Sequence, residues 1–111
     1  MHSNNPFPER LRQTRTEIGI SQKELGIRVG IETSSASSRM NHYEKGRHMP
    51  DYETLERLAK ELNKPVAYFF CHTDSIAELL CLLEQMSELD RQSLINKLKN
   101  NEGVESGTDN R

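Results

Sequence analysis

Apolar side chains recur along this chain at helical spacing, in short stretches separated by glycine, proline and asparagine. No stretch alternates apolar and polar positions as a strand would. Leu11, Arg15 and Ile18 stand at i, i+4 and i+7 behind Pro8 and Glu9, which predicts a first helix over about 8–18 that closes at Gly19. Residues 1–7 ahead of it read as a flexible lead-in. Ser21 with Glu24 forms a capping box, and the helix it opens buries Leu25 and Val29 before ending at Gly30. Asp51 caps a later helix with a clean stripe of Leu55, Leu58, Ala59 and Leu62, stopped at Asn63. Pro65 then starts a short helix to Phe70, which offers Val66, Phe69 and Phe70 as a lid on the core.

Between Gly30 and that fourth helix lies a stretch of different character. A helix over about Ser35 to Tyr43 has only a thin apolar seam, Ala36, Met40 and Tyr43, with Gly46 as its stop. Its opposite face carries Ser34, Ser38, Asn41 and Lys45, flanked by Ser37 and His42. So little apolar surface cannot hold a helix alone. The pattern asks for a scaffold that grips the seam and presents small polar groups outward, as a helix facing DNA bases requires.

The second half reads differently. After a break at His72–Thr73, with Thr73 or Asp74 as cap, the segment from Ile76 to Met86 is apolar around most of its circumference. Such a helix is not the surface of a monomer. Ser87 opens a last helix through about Lys99 that turns Leu89, Leu94, Ile95 and Leu98 inward, and residues 100–111 read as a disordered tail. The expected organisation is therefore a head over 8–72, a helical assembly segment over 73–99, and tails at both ends. Self-association through Ile76, Leu79, Leu80, Leu83, Met86, Leu94 and Leu98 into a homodimer is the simplest use of that surface.

Charge sharpens this division. The chain carries a net charge of −2, but residues 1–65 hold 11 basic against 9 acidic side chains, whereas residues 66–111 hold 4 against 8. A mildly basic head before an acidic segment suits a binding head joined to a part that does not bind. No apolar run of about 18 residues is present to span a membrane, and the first residues lack the pattern of a secretion signal. A cytoplasmic protein is expected, with Cys71 and Cys81 as free thiols. His42, His48, Cys71 and His72 have no metal-ligand spacing, so neither metal nor cofactor is expected. With no Gly-rich phosphate loop, nucleophile elbow or catalytic carboxylate pair, an enzyme is not expected either.

Helix, glycine turn, capped helix, glycine turn and polar-faced helix follow the outline of a helix-turn-helix. Three motifs narrow it: R-x-x-x-G-I-S-Q-x-x-L over Arg15 to Leu25, Y-E-K-G-R-x-x-P over Tyr43 to Pro50, and E-T-L-x-x-L-A over Glu53 to Ala59. In order and spacing they resemble the lambda-repressor-like helix-turn-helix regulators of the Cro/XRE family. The resemblance implies an all-α fold, a five-helix DNA-binding head followed here by a two-helix dimerisation segment. It implies that Gln22, at the start of the second helix, contacts a DNA phosphate, and that Arg15 and Glu44 form a structural ion pair. Lys45 and Arg47 match its phosphate-binding loop, and Ser35 is a further phosphate candidate. Ser37, Ser38 and Asn41 are the candidates for base edges, joined by Arg39 and His42.

One departure matters. From Gly30 to Glu44 the chain is longer than the family pattern by about one helical turn. Either the turn is longer or the recognition helix gains a turn at its start. Gly26 also stands where the family usually has alanine. The function these features imply is a sequence-specific transcriptional regulator of double-stranded DNA, a repressor more readily than an activator. The rival is an antitoxin-type or other protein-interaction module on the same fold, with the apolar segment taking a different protein partner.

Overall fold

In a computed structural model, which describes residues 4–100, the described residues form helices and no strands: α1 Phe7–Ile18, α2 Gln22–Arg28, α3 Thr33–Glu44, α4 Tyr52–Glu61, a 3-10 helix Val66–Phe70, α5 Asp74–Glu84 and α6 Glu88–Lys99. The expected all-α class is the observed one, with the lid segment a 3-10 turn rather than an α-helix.

Local chemistry sets most of the boundaries. Ser21 accepts from the Glu24 N–H at 3.0 Å, Asp51 from the Thr54 N–H at 2.9 Å, and Ser87 from the Asp90 N–H at 3.0 Å, each satisfying a donor with no partner inside its helix. Hydrogen bonding from Thr54, its side chain first and then its backbone N–H, holds the Asp51 carboxyl below the usual aspartate range. At α5 it is Thr73 that caps, accepting from the Ile76 N–H at 3.3 Å. The capping box at Ser21 is half made: the Glu24 carboxylate takes the Arg28 guanidinium at 3.0 Å one turn on, a charged donor in place of the Ser21 N–H. The helix stops fall at Gly19, Gly30, Gly46 and Asn63, the described residues with left-handed backbone. At the end of α3 the reason is explicit. Arg47 N–H bonds to His42 C=O at 2.9 Å and Gly46 N–H to Tyr43 C=O at 3.2 Å, a Schellman turn that needs the positive φ of 76° at Gly46.

The chain divides into two units, through Cys81 and from Leu82. In the first, Leu11, Leu25, Val29, Met40, Tyr43, Leu55, Leu58, Leu62 and Phe69 form one core. Phe7 belongs to it too. It is fully buried, edge-on to Phe69 at 5.9 Å and stacked on Phe70 at 5.8 Å, so the lead-in is shorter than expected and α1 begins one residue before Pro8. The first turns of α5 also belong to this unit. Arg10 is buried and donates to the Cys71 carbonyl at 2.8 Å, reaches Asp74 at 3.2 Å, and lies over the Tyr68 ring, while Ala77 is 2 % exposed. The head therefore extends past residue 72, where the change of sequence pattern had suggested a break.

In the second unit, Arg91 donates to the Leu83 carbonyl at 2.7 Å and pairs with Glu88, fixing the turn from α5 into α6. No residue of α6 is buried. Leu89, expected to point inward, is 80 % exposed, and Ile95 and Leu98 are exposed as well. Within the second unit only Leu94 of the expected inward stripe is half-buried.

Candidate nucleic-acid interface

α3 is held to the head by its seam. Ala36 and Met40 are fully buried and Tyr43 nearly so. The buried Glu44 carboxylate finishes the attachment. Arg15 engages both of its oxygens, one at 3.1 Å, and Gln22 Nε2 donates to it at 2.9 Å. Arg15 also donates to the Ile20 carbonyl at 2.8 Å, tying α1, the turn before α2, and the end of α3 through one guanidinium. The pairing expected of Arg15 and Glu44 is present, with side chains only 14 % and 3 % exposed.

The same glutamine reaches the outer face. Gln22 Nε2 donates to Asn41 Oδ1 at 3.3 Å as well as to Glu44. Both amide protons of Gln22 are thus used within the protein, and its backbone N–H, in the first turn of α2, has no partner inside the helix. Asn41 gains from this. With its oxygen held by Gln22, its NH₂ group is left as a donor toward solvent.

The remaining candidates lie on one exposed side. Ser37, Ser38, Arg39, Lys45 and Arg47 are exposed, Asn41 and His42 half-buried. The Ser38 hydroxyl donates to the Ser35 carbonyl at 3.3 Å, and Ser35 to the Glu32 carbonyl at 3.5 Å. The charges around them follow a telling distribution. Arg10, Arg12, Arg15, Arg28, Arg57 and Arg91 each hold a carboxylate. Among the described residues Arg39 and Arg47 are the two arginines without such a partner, and Lys45 lies between them and Gly46 equally unpaired. The arginines are therefore free on the α3 side and paired elsewhere, while Lys23, Lys60 and Lys64 on the rest of the head are unpaired like Lys45.

The added length lies in α3 itself. The connection from α2 spans only Val29 to Glu32, and the helix begins at Thr33, two residues before the expected start. Gly26 accounts for how the extra turn fits. A Cβ at Gly26 would lie 2.9 Å from the Ala36 Cβ and 3.0 Å from its carbonyl oxygen, closer than side chains pack. The missing methyl lets the front of α3 cross α2 in near backbone contact. The sequence marked Gly26 only as a departure from the alanine usual in the family, and gave no role to His48. That ring stands 5.1 Å from the ring of His42, across a turn whose path only the fold reveals.

Of the expected dimer residues, Ile76, Leu79 and Leu98 are exposed, and Leu80, Leu83, Met86 and Leu94 are half-buried. In the second unit Leu82 and Leu89 are exposed too. Among the described residues there is no group of three or more potential metal ligands, and no helix is long and apolar enough to cross a membrane.

A capped helix, a tight glycine turn and a second helix seated across it by a buried ion pair, its polar face outward, define a helix-turn-helix of the Cro/XRE type. The chain belongs to the helix-turn-helix domain family, whose profile matches residues 9–74. It is similar to the cryptic phage CTXphi transcriptional repressor RstR of Vibrio cholerae, at 30% identity over 79% of this chain and 80% of that one. An uncharacterised HTH-type transcriptional regulator of Sinorhizobium medicae is 36% identical over 55% of this chain, which spans 41% of that relative's length. Among solved structures, the transcriptional regulator BswR superposes with a TM-score of 0.72 at 37% identity, over 87% of this chain and 99% of that one. The protein is a transcriptional regulator with a helix-turn-helix DNA-binding domain.

Proposed function

We propose that this chain is a sequence-specific repressor that binds a (pseudo)palindromic operator as a homodimer. The observation that carries the reading is the pair of unpaired arginines, Arg39 and Arg47, bracketing Asn41 on the exposed side of a helix whose other side is locked to the core. Lys45, Arg47 and the N–H groups at the start of α2 take phosphates. Asn41, Ser37 and Ser38 read base edges, with Arg39 and His42 reaching the bases or phosphates alongside. Two heads joined through α5 and α6 address two half-sites about one helical turn of DNA apart. Repression follows from occupying the operator, and the similarity to a named phage repressor supports that sense of regulation.

Selection of bound duplexes from a random library tests the reading. A recurrent half-site, repeated with inverted symmetry at fixed spacing, is the expected result, with affinity falling steeply as salt is raised. Recovery of unselected sequence only would refute base readout and leave the interaction-module reading, which the exposed Ile76, Leu79 and Leu82 favour through a heterologous partner. Light scattering separates the two: the pure chain is expected as a dimer, and Leu79→Lys as a folded monomer. A monomeric unsubstituted chain would overturn the homodimer.

A further inference from the structure

At the C-terminal end of α3 two imidazoles lie against each other beside a cavity that no carboxylate lines. The Schellman turn folds the chain back so that the His48 N–H bonds to the His42 carbonyl at 3.4 Å, and the two rings meet at a centroid distance of 5.1 Å. Arg39, one turn earlier on α3, joins them with Tyr43 and Met49 around an open cavity of about 350 Å³. The groups that face the pair are therefore Arg39 and Tyr43 from α3 and Met49 from the loop. Beyond Met49 stands the side-chain amide of Asn5, which donates to its sulfur at 3.4 Å and brings no charge from the lead-in. No carboxylate lines the cavity, and among the described residues neither imidazole has a hydrogen bond or ion pair. Lys45 and Arg47, in the same turn, add two further exposed cations.

Around the two rings Arg39, Lys45 and Arg47 make the local field positive. A phosphodiester between them reverses the sign of the local field. We propose that Arg39, His42 and His48 form a phosphodiester subsite in which binding draws protons from solvent onto the imidazoles. DNA affinity then rises as pH falls from about 8 to about 6, the range in which imidazoles change charge. The inference rests on the DNA-binding reading above and adds to it a contact, His48, and a proton linkage. The sign follows from linkage: the complex holds more protons than the free partners, so acid favours it and alkali releases it. Each linked proton is worth up to about tenfold in affinity per pH unit.

The test is fluorescence anisotropy of the full chain on a mixed-sequence duplex at constant ionic strength, at several values between about pH 6 and pH 8. The unsubstituted chain is expected to bind about tenfold more tightly at the acid end. His48→Gln and His42→Gln should each flatten the profile, and the double variant should abolish it. His48 is exposed, His42 only half-buried, and neither ring belongs to the core, so circular dichroism should report the same helix content for every variant. A flat profile for the unsubstituted chain, or a slope that survives in the double variant, overturns the subsite while leaving DNA binding in place. Failure to bind duplex at either end of the range refutes the DNA reading and the subsite with it.

Discussion

The two halves of α3 are built on opposite terms. From Met40 onward every inward position is tied down: Met40 and Tyr43 in the core, Glu44 in its net of Arg15 and Gln22, and Gly46 in a turn with two backbone bonds. From Thr33 to Ser38 the only buried residue is Ala36, and what surrounds it is serine. The N-cap residue Glu32 gives α3 no side-chain cap. The back half fixes where the helix stands; the front half meets the head through Ala36 against Gly26 and turns its serines outward. On the proposed sequence-specific reading this separation matters, because the outward serines at the front can change at little cost to stability.

The largest effect should come from breaking the foundation. Glu44→Ala leaves Arg15 as a largely buried cation and strips Gln22 of its stronger acceptor, which should cost roughly 3 kcal/mol in urea unfolding. A loss below about 1 kcal/mol, the range of exposed ion pairs, would mean the net is not what seats the helix. Asn41 comes next and bridges the halves. Its hydrogen bond to Gln22 is long, so Asn41→Ala should barely alter unfolding, yet weaken the selected operator by about 1–3 kcal/mol with non-specific binding spared. An equal loss on every duplex would make it a positioning residue.

How much of this the sequence revealed follows the same division. Caps at Ser21, Asp51 and Ser87 were legible because capping is settled within four residues. The stops at Gly19, Gly30, Gly46 and Asn63 were legible because few residues accept a positive φ. The seam of Ala36, Met40 and Tyr43 followed from helical period alone. Contacts made across the fold were not legible: Phe7 on Phe69 and Phe70, Gly26 against Ala36, Gln22 on Asn41, and His48 beside His42. No local pattern encodes which side chains the folded path of the chain brings together. Leu89 misled for the reverse reason, since periodicity assigns an inward face without saying whether the chain supplies anything inside it.

Gly26 tests the front half directly. The added turn of α3 and the glycine in α2 look like separate departures from the family pattern, but the structure makes them one. Ala36 in the lengthened segment occupies the space a Gly26 side chain would need. Gly26→Ala gains up to about 1 kcal/mol of helix propensity and loses about 1–3 kcal/mol to crowding. The net should be a destabilisation of about 1 kcal/mol by thermal unfolding, partly restored when Ala36→Gly removes the opposing methyl. An increase in stability from Gly26→Ala alone would show that the front of α3 is free to shift.

The smallest effects belong to the serines, and here the hydrogen bonds rank them. Ser35 and Ser38 turn their hydroxyls back onto the Glu32 and Ser35 carbonyls of their own chain, the usual alternative for serine inside a helix. Ser37 is exposed and makes no such bond, so its hydroxyl can meet a base edge without giving up an internal partner. Ser37→Ala should therefore relax selection at one base position and cost about 1 kcal/mol on the operator, a typical net hydrogen bond. Ser38→Ala should cost less, because the hydroxyl must first leave the Ser35 carbonyl. Neither should move the unfolding midpoint, since neither side chain packs against the core. If Ser38 instead proves the more costly of the two, the front of α3 meets DNA at a different rotation from the one its free hydroxyls define.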